Sequence, residues 1–208
     1  MKIQSEKKKG IGMILLIIVI VLAYIGGFIF KIYMPKKDDI DTDNLLKTCM
    51  IINEDNYADY QFGDDSVGYA GAYVMRHMGK EANGAVLFET LQRDFGVVTI
   101  KCLQKGLEEN NISTKAYYGS IDTLKAELVK GNPVIAVITP KTDSENGLHY
   151  VAVVGYDEQY IYMADSDESN TNVSNVKQYN RKVTYEQFLE LWKVTTVYPM
   201  DNLYIVAE

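Results

Sequence analysis

The chain begins with a long apolar block and then settles into helix-period and strand-period patterns. Residues 11–30, IGMILLIIVIVLAYIGGFIF, carry no charge. At about 1.5 Å per residue, twenty helical residues span about 30 Å, the thickness of a bilayer core. The block therefore predicts a transmembrane anchor behind a short head, residues 1–10. The apolar run continues through Phe28 and Phe30 without a small-x-small exit, which predicts an uncleaved anchor rather than a signal peptide. Residues 31–48 are polar and acidic and predict a tether. The folded domain is expected over 49–208.

Within the domain the helical patterns come first. Asp64 and Asp65 are candidate caps for a helix through VGYAGAYVMRHMG, closed by Gly79. Leu87, Phe88 and Leu91 mark a second helix, and Ile100, Leu103 and Leu107 a third. Ser120 caps a fourth, which carries Leu124 and Leu128 and ends at Gly131. The period then changes. PVIAVIT (133–139), HYVAVVG (149–155), QYIYM (159–163) and NLYIVA (202–207) read as strands, and Thr184 with Gln187 forms a capping-box pattern before a last helix holding Phe188, Leu191 and Trp192. Helices followed by an antiparallel sheet predict an α+β domain.

Charge narrows the choice of partner. The head holds Lys2, Lys7, Lys8 and Lys9; Lys31, Lys36 and Lys37 follow the apolar block. Four lysines against three predict the N-terminus inside and the domain extracytoplasmic. Beyond residue 30 remain 17 basic and 27 acidic residues, a net of −10, which disfavours nucleic acid and anionic lipid. Cys49 and Cys102 are too few and too far apart for a zinc site. They either form one disulfide or stand as buried free thiols. His77 near the end of its helix suits the helix dipole rather than a metal. No metal or cofactor is expected.

Four residues carry candidate chemistry: Gln61, Ser66, His149 and Asp165. If strands 149–155 and 159–163 pair around a turn centred on residue 157, His149 stands opposite Asp165, where a carboxylate can hold an imidazole in one tautomer. The other reading is a strand-end histidine and an unrelated loop aspartate. Ser66 opens a helix, where amides and the helix dipole favour a developing negative charge. Taken alone, a serine there is a capping residue.

The order of these residues resembles that of the bacteriocin-processing, double-glycine-type peptidases and their C39-like relatives in the papain-like clan. Their pattern is a glutamine, then Asp/Asn-Cys-Gly-x-Ala-Ala, then an apolar helix ending in glycine. Here it reads Gln61, then Asp65-Ser66-Val67-Gly68-Tyr69-Ala70, then AYVMRHMG. The segments KGNPVIAVI and LHYVAVVGYD, the Asp165 segment and the Phe188…Trp192 spacing also match, over about residues 57–208. The resemblance implies a papain-like fold with Ser66 at the nucleophile position, His149 as base, Asp165 as orienting carboxylate and Gln61 in the oxyanion hole. Two departures stand out. The family's Cys-Gly is Ser66-Val67, and Gln61 precedes Ser66 by five residues where six is commoner. A transglutaminase-like reading of VGYAGAY is disfavoured by His149-Tyr150, where that family carries Ala-Trp after its histidine.

A cysteine beside an imidazolium is stored as a thiolate, whereas a serine must lose its proton during the attack. Three functions follow: a tethered pseudopeptidase that binds a peptide or protein partner, a thiol peptidase whose cysteine has been replaced by serine, or a slow serine hydrolase or acyl transferase.

Overall fold

The computed structural model describes residues 13–26, 34–37, 40, 45–51, 59–61, 63, 65–94, 96–140, 147–194 and 200–207. The chain divides into two compact units, Met1–Tyr33 and Met34–Glu208. In the first, residues 13–26 are helical, with apolar side chains such as Leu16 and Leu22 about 60% exposed. Among the described residues no helix is long and apolar enough to cross a membrane. The remaining positions of the expected anchor, 11–12 and 27–30, lie outside the described residues, as does Asp64.

The second unit is built on a seven-stranded antiparallel sheet. Its strands are β1 (Cys49–Met50), β2 (Thr114–Tyr118), β3 (Val134–Ile138), β4 (His149–Tyr156), β5 (Tyr160–Ala164), β6 (Arg181–Thr184) and β7 (Leu203–Ala207). The order is β2-β7-β3-β4-β5-β6, with β1 also paired to β4. The helices are α1 (Ser66–His77), α2 (Gly84–Thr90), α3 (Ile100–Glu109), α4 (Ile121–Val129) and α5 (Tyr185–Leu191).

Helices cover both faces of the sheet. Strand period two sorts β3 between two cores. Val134, Ala136 and Ile138 join Leu124, Leu128, Phe188 and Trp192 of α4 and α5 and the residue after it. Ile135 and Val137 join Ala70, Val74, Leu87, Leu103 and Leu107 of α1–α3. Every residue of β3 and β4 is buried, which is why both read as continuous apolar runs.

The expected tether is partly structural. Met34 is buried among the α1–α3 core residues. The Tyr118 amide donates to the Pro35 carbonyl, and the Lys37 amide donates back to Tyr118, so residues 35–37 lie along the outer edge of β2.

The β4–β5 hairpin differs from the expected register. Asp157 Oδ1 accepts from the amides of Gln159 and Tyr160, an Asx turn that moves the tip beyond residue 157. A bulge between Val153 and Gly155 then shifts the ladder to Ala152 opposite Ala164. Continuing that register puts Val151, not His149, across from Asp165. His149 lies two residues along the same face, a diagonal neighbour within reach of longer side chains.

Candidate functional site

Ser66 is the first residue of α1, and Asp65 is its N-cap position. Close packing fixes this helix start. A Cβ on Gly68 would meet the Gly84 carbonyl at 2.5 Å and Phe88 Cβ at 2.6 Å, so glycine there lets α1 and α2 touch backbone to backbone. His149 is the first residue of the central strand β4, next to β3 through Ile138. Helix start and strand start thus meet: the Ser66 hydroxyl accepts the Tyr150 amide proton at 3.1 Å across 84 residues of sequence.

Asp165 follows the end of β5 and is 2% exposed. Its Oδ1 lies 2.6 Å from His149 Nε2 and accepts from the Asp167 amide at 2.9 Å. Its Oδ2 accepts from Arg181 at 2.7 Å and from Asn170 Nδ2 at 3.1 Å. Burial works against ionisation of this carboxyl. The hydrogen bond and charge of His149, the Arg181 guanidinium and the Asp167 amide outweigh it and hold the carboxyl below the usual carboxylate range. An ionised carboxylate can only accept hydrogen bonds, so His149 Nε2 carries the proton toward Asp165. In neutral imidazole, Nδ1 is then the basic atom.

Ser66, His149 and Gln61 share the wall of one cavity of about 750 Å³, lined also by Val67, Phe88, Arg93, Val97, Leu148 and Asp167. Val67, the first departure from the family pattern, contributes an apolar side chain to this wall. Gln61 is brought to the cavity, but its amide is engaged. Nε2 donates to the Gly63 carbonyl at 2.5 Å, and Oε1 accepts from Ser166 Oγ at 2.6 Å. Of its two Nε2 protons, one is left for an anion.

The arrangement can do three things chemically. It presents a hydroxyl beside helix-start amides, it supplies an oriented imidazole, and it offers a cleft whose walls mix polar side chains with Val67, Phe88, Val97 and Leu148. The structure brings together the four residues that the sequence singles out, and adds Asn180 and Arg181, which the sequence analysis did not name and which hold Asp165. Their only signal is a basic residue at an inward position of β6, where the burial alternates Arg181 in, Lys182 out, Val183 in. Cys102 is buried and Cys49 half-buried, and both are free thiols.

Solved structures share this architecture. The peptidase domain of Streptococcus ComA, a bifunctional ABC transporter involved in quorum sensing, aligns with a TM-score of 0.54 at 17% identity, over 71% of this chain and 95% of that one. A putative C39-like peptidase from Bacillus anthracis aligns with a TM-score of 0.51 at 15% identity, over 83% and 98%. A double-glycine-motif protease from an AMS/PCAT transporter, solved in complex with the leader peptide, aligns with a TM-score of 0.51 at 13% identity, over 71% and 88%. At these identities the likeness is one of fold. No curated protein matches the chain in sequence. The sequence profile of the Peptidase_C39-like family matches residues 18–198, most of the chain, and the protein belongs to that family.

Proposed function

We propose that this chain is a membrane-anchored, extracytoplasmic member of the family that has kept its peptide cleft and lost most of its peptide-bond chemistry, and that it binds a peptide or protein partner. The observation that carries the reading is the complete orienting set around a serine: His149 against a buried, ionised Asp165, with Ser66 on the same cavity wall. A related protease has been solved with a leader peptide, which supports a peptide as occupant of the cleft. The uncharged run 11–30 supports the anchor.

Replacing a thiol by a hydroxyl removes the stored nucleophile. His149 must then take the Ser66 proton in the act of attack, through Nδ1. A site whose nucleophile no longer functions typically loses several powers of ten in rate. Binding needs no thiolate and is unaffected.

A peptidyl thiol-reactive probe tests this, comparing the full chain with Ser66→Cys and with Ser66→Cys/His149→Ala. The reading expects no labelling of the chain itself at residue 66, rapid labelling of Ser66→Cys, and loss of that rate with His149→Ala. Labelling of Ser66→Cys at the rate of an ordinary surface thiol would overturn it. The alternative of a slow serine hydrolase or acyl transferase is favoured by the Nε2–H tautomer, which leaves a base free for a hydroxyl. That alternative requires Ser66-dependent turnover of a peptide ester. Protease access in intact cells and membrane fractionation test the anchor and its orientation: the reading expects a membrane-bound chain whose residues 34–208 are cleaved from outside.

A further inference from the structure

Asp165 is gripped more completely than its distance to His149 requires. An ionised carboxylate offers about four acceptor positions. Here Oδ1 takes His149 and the Asp167 amide, and Oδ2 takes Arg181 and Asn170. The backbone of the same residue is held as well. The Asp165 amide donates to Asn180 Oδ1 at 2.8 Å, and Asn180 Nδ2 donates to the Asp165 carbonyl at 2.7 Å. Asn180 is itself fully buried. Its own amide donates to Met163 of β5, and its carbonyl accepts from the amides of Asn172 and Val173.

Arg181 is the more telling member. It is 7% exposed, and it opens β6 opposite Met163 of β5. A guanidinium taken out of water is expensive, and an apolar residue at such a position is often as stable or more so. What an apolar residue could not do is occupy Oδ2. Without that partner, Oδ2 keeps only the longer bond from Asn170 Nδ2, and the less firmly held carboxylate can rotate, so that His149 meets either oxygen or neither.

We propose that Arg181 and Asn180 are positioning residues of this site. Asn180 fixes the Asp165 backbone and Arg181 fills one carboxylate oxygen, so that the other is committed to His149 Nε2–H and Nδ1 is the only basic atom left to face the nucleophile position. The proposal deepens the reading of the site given above, since it concerns the same imidazole.

The test reads the tautomer directly. The full chain contains two histidines, His77 and His149, so ring ¹⁵N resonances of a histidine-labelled sample in detergent are assigned with one variant, His149→Gln. The expected result for the chain as written is a single Nε2–H tautomer of neutral His149. Arg181→Lys, which keeps a cationic donor, retains it. Arg181→Met and Asn180→Ala show mixed tautomers or exchange broadening at His149 while His77 is unmoved. A folded Arg181→Met with the parent's single tautomer overturns the proposal, and so does a tautomer mixture in the parent. If Arg181→Met does not fold, Arg181→Gln and Asn180→Ala carry the same comparison.

A second readout uses the Ser66→Cys background. There Arg181→Met lowers the probe-labelling rate between about 10- and 100-fold, by analogy with the losses when outer-shell partners of metal-bound histidines are removed, and Arg181→Lys restores most of it. A rate unchanged by Arg181→Met overturns the proposal. Failure of Ser66→Cys to label in a His149-dependent way would instead overturn the peptidase-site reading and leave the tautomer comparison standing, so the two failures are distinguishable.

Discussion

Asp165 gathers most of the site's electrostatics into one side chain, and its removal has a definite cost. Asp165→Ala leaves the Arg181 guanidinium buried without its carboxylate. Breaking such a pair costs ~3–5 kcal/mol, read as a fall in the urea midpoint at neutral pH. The same carboxyl sets an acid dependence whose sign follows from its depressed value. As the pH falls, the unfolded chain takes up the proton first. The stabilisation is therefore complete above about pH 5 and is lost as the pH drops through the ordinary carboxylate range toward the folded value. Asp157 acts in the same direction. Its burial favours the neutral form, but the Tyr162 hydroxyl, the Gln159 and Tyr160 amides and Lys182 outweigh it. Asp165→Asn should flatten the slope of unfolding free energy between about pH 5 and 3 by more than Asp157→Asn does, because the Asp157 turn is more open to water. Equal slopes in parent and Asp165→Asn would contradict the assignment.

Helices position the cleft, and their contacts give sharper expectations than their propensities. Gly68→Ala pushes a methyl into the Gly84 carbonyl and Phe88, both of them backbone or near-backbone obstacles. Overpacking of this kind costs ~1–3 kcal/mol. Because Phe88 also lines the cavity, the variant should, if the cleft binds peptide as proposed, weaken that binding together with stability, measured by calorimetry and urea unfolding on one sample. Thr184→Ala removes the hydroxyl that accepts the Gln187 amide in an observed capping box and should cost about 1 kcal/mol without touching the cleft. Such caps are why α4 and α5 could be read from the chain, whereas Asp65 at the start of α1 makes no side-chain capping bond and α2 and α3 were read from their apolar spacing. Ser120 and Thr184 announce their elements in four residues of sequence. The edge elements announced nothing. β2, TKAYY, buries one residue of five, so it has no alternation to detect, and β6 is four residues long and opens with an inward-facing arginine. The pairing of His149 with Asp165 was legible from residue order. Its geometry was not, because the Asx turn displaced the register and the bulge returned it only in part, leaving the two residues as diagonal rather than facing neighbours.

At the scale of the molecule, the sequence placed the start of the domain at Cys49, whereas the compact unit begins at Met34. Composition hides the difference, since Lys36, Lys37 and the acidic residues after them are as polar as any linker. Yet Met34 is 4% exposed, and residues 35–37 pair with Tyr118 of β2, the outermost strand on that side of the sheet. An uncovered strand edge invites pairing with another chain. A chain starting at Met34 should therefore unfold cooperatively, with the melting temperature of the full-length domain. A chain starting at Cys49 gives up the buried methionine, worth about 1.5–3 kcal/mol, and two backbone hydrogen bonds, worth about 0.5–1.5 kcal/mol each. The sum, roughly 2.5–6 kcal/mol, is a large share of the stability of an ordinary domain. The shorter chain should melt well below the longer one and self-associate at the bared β2 edge, seen by light scattering and suppressed by a lysine introduced at Tyr118. Identical melting curves for the two truncations would return residues 34–37 to the role of a tether.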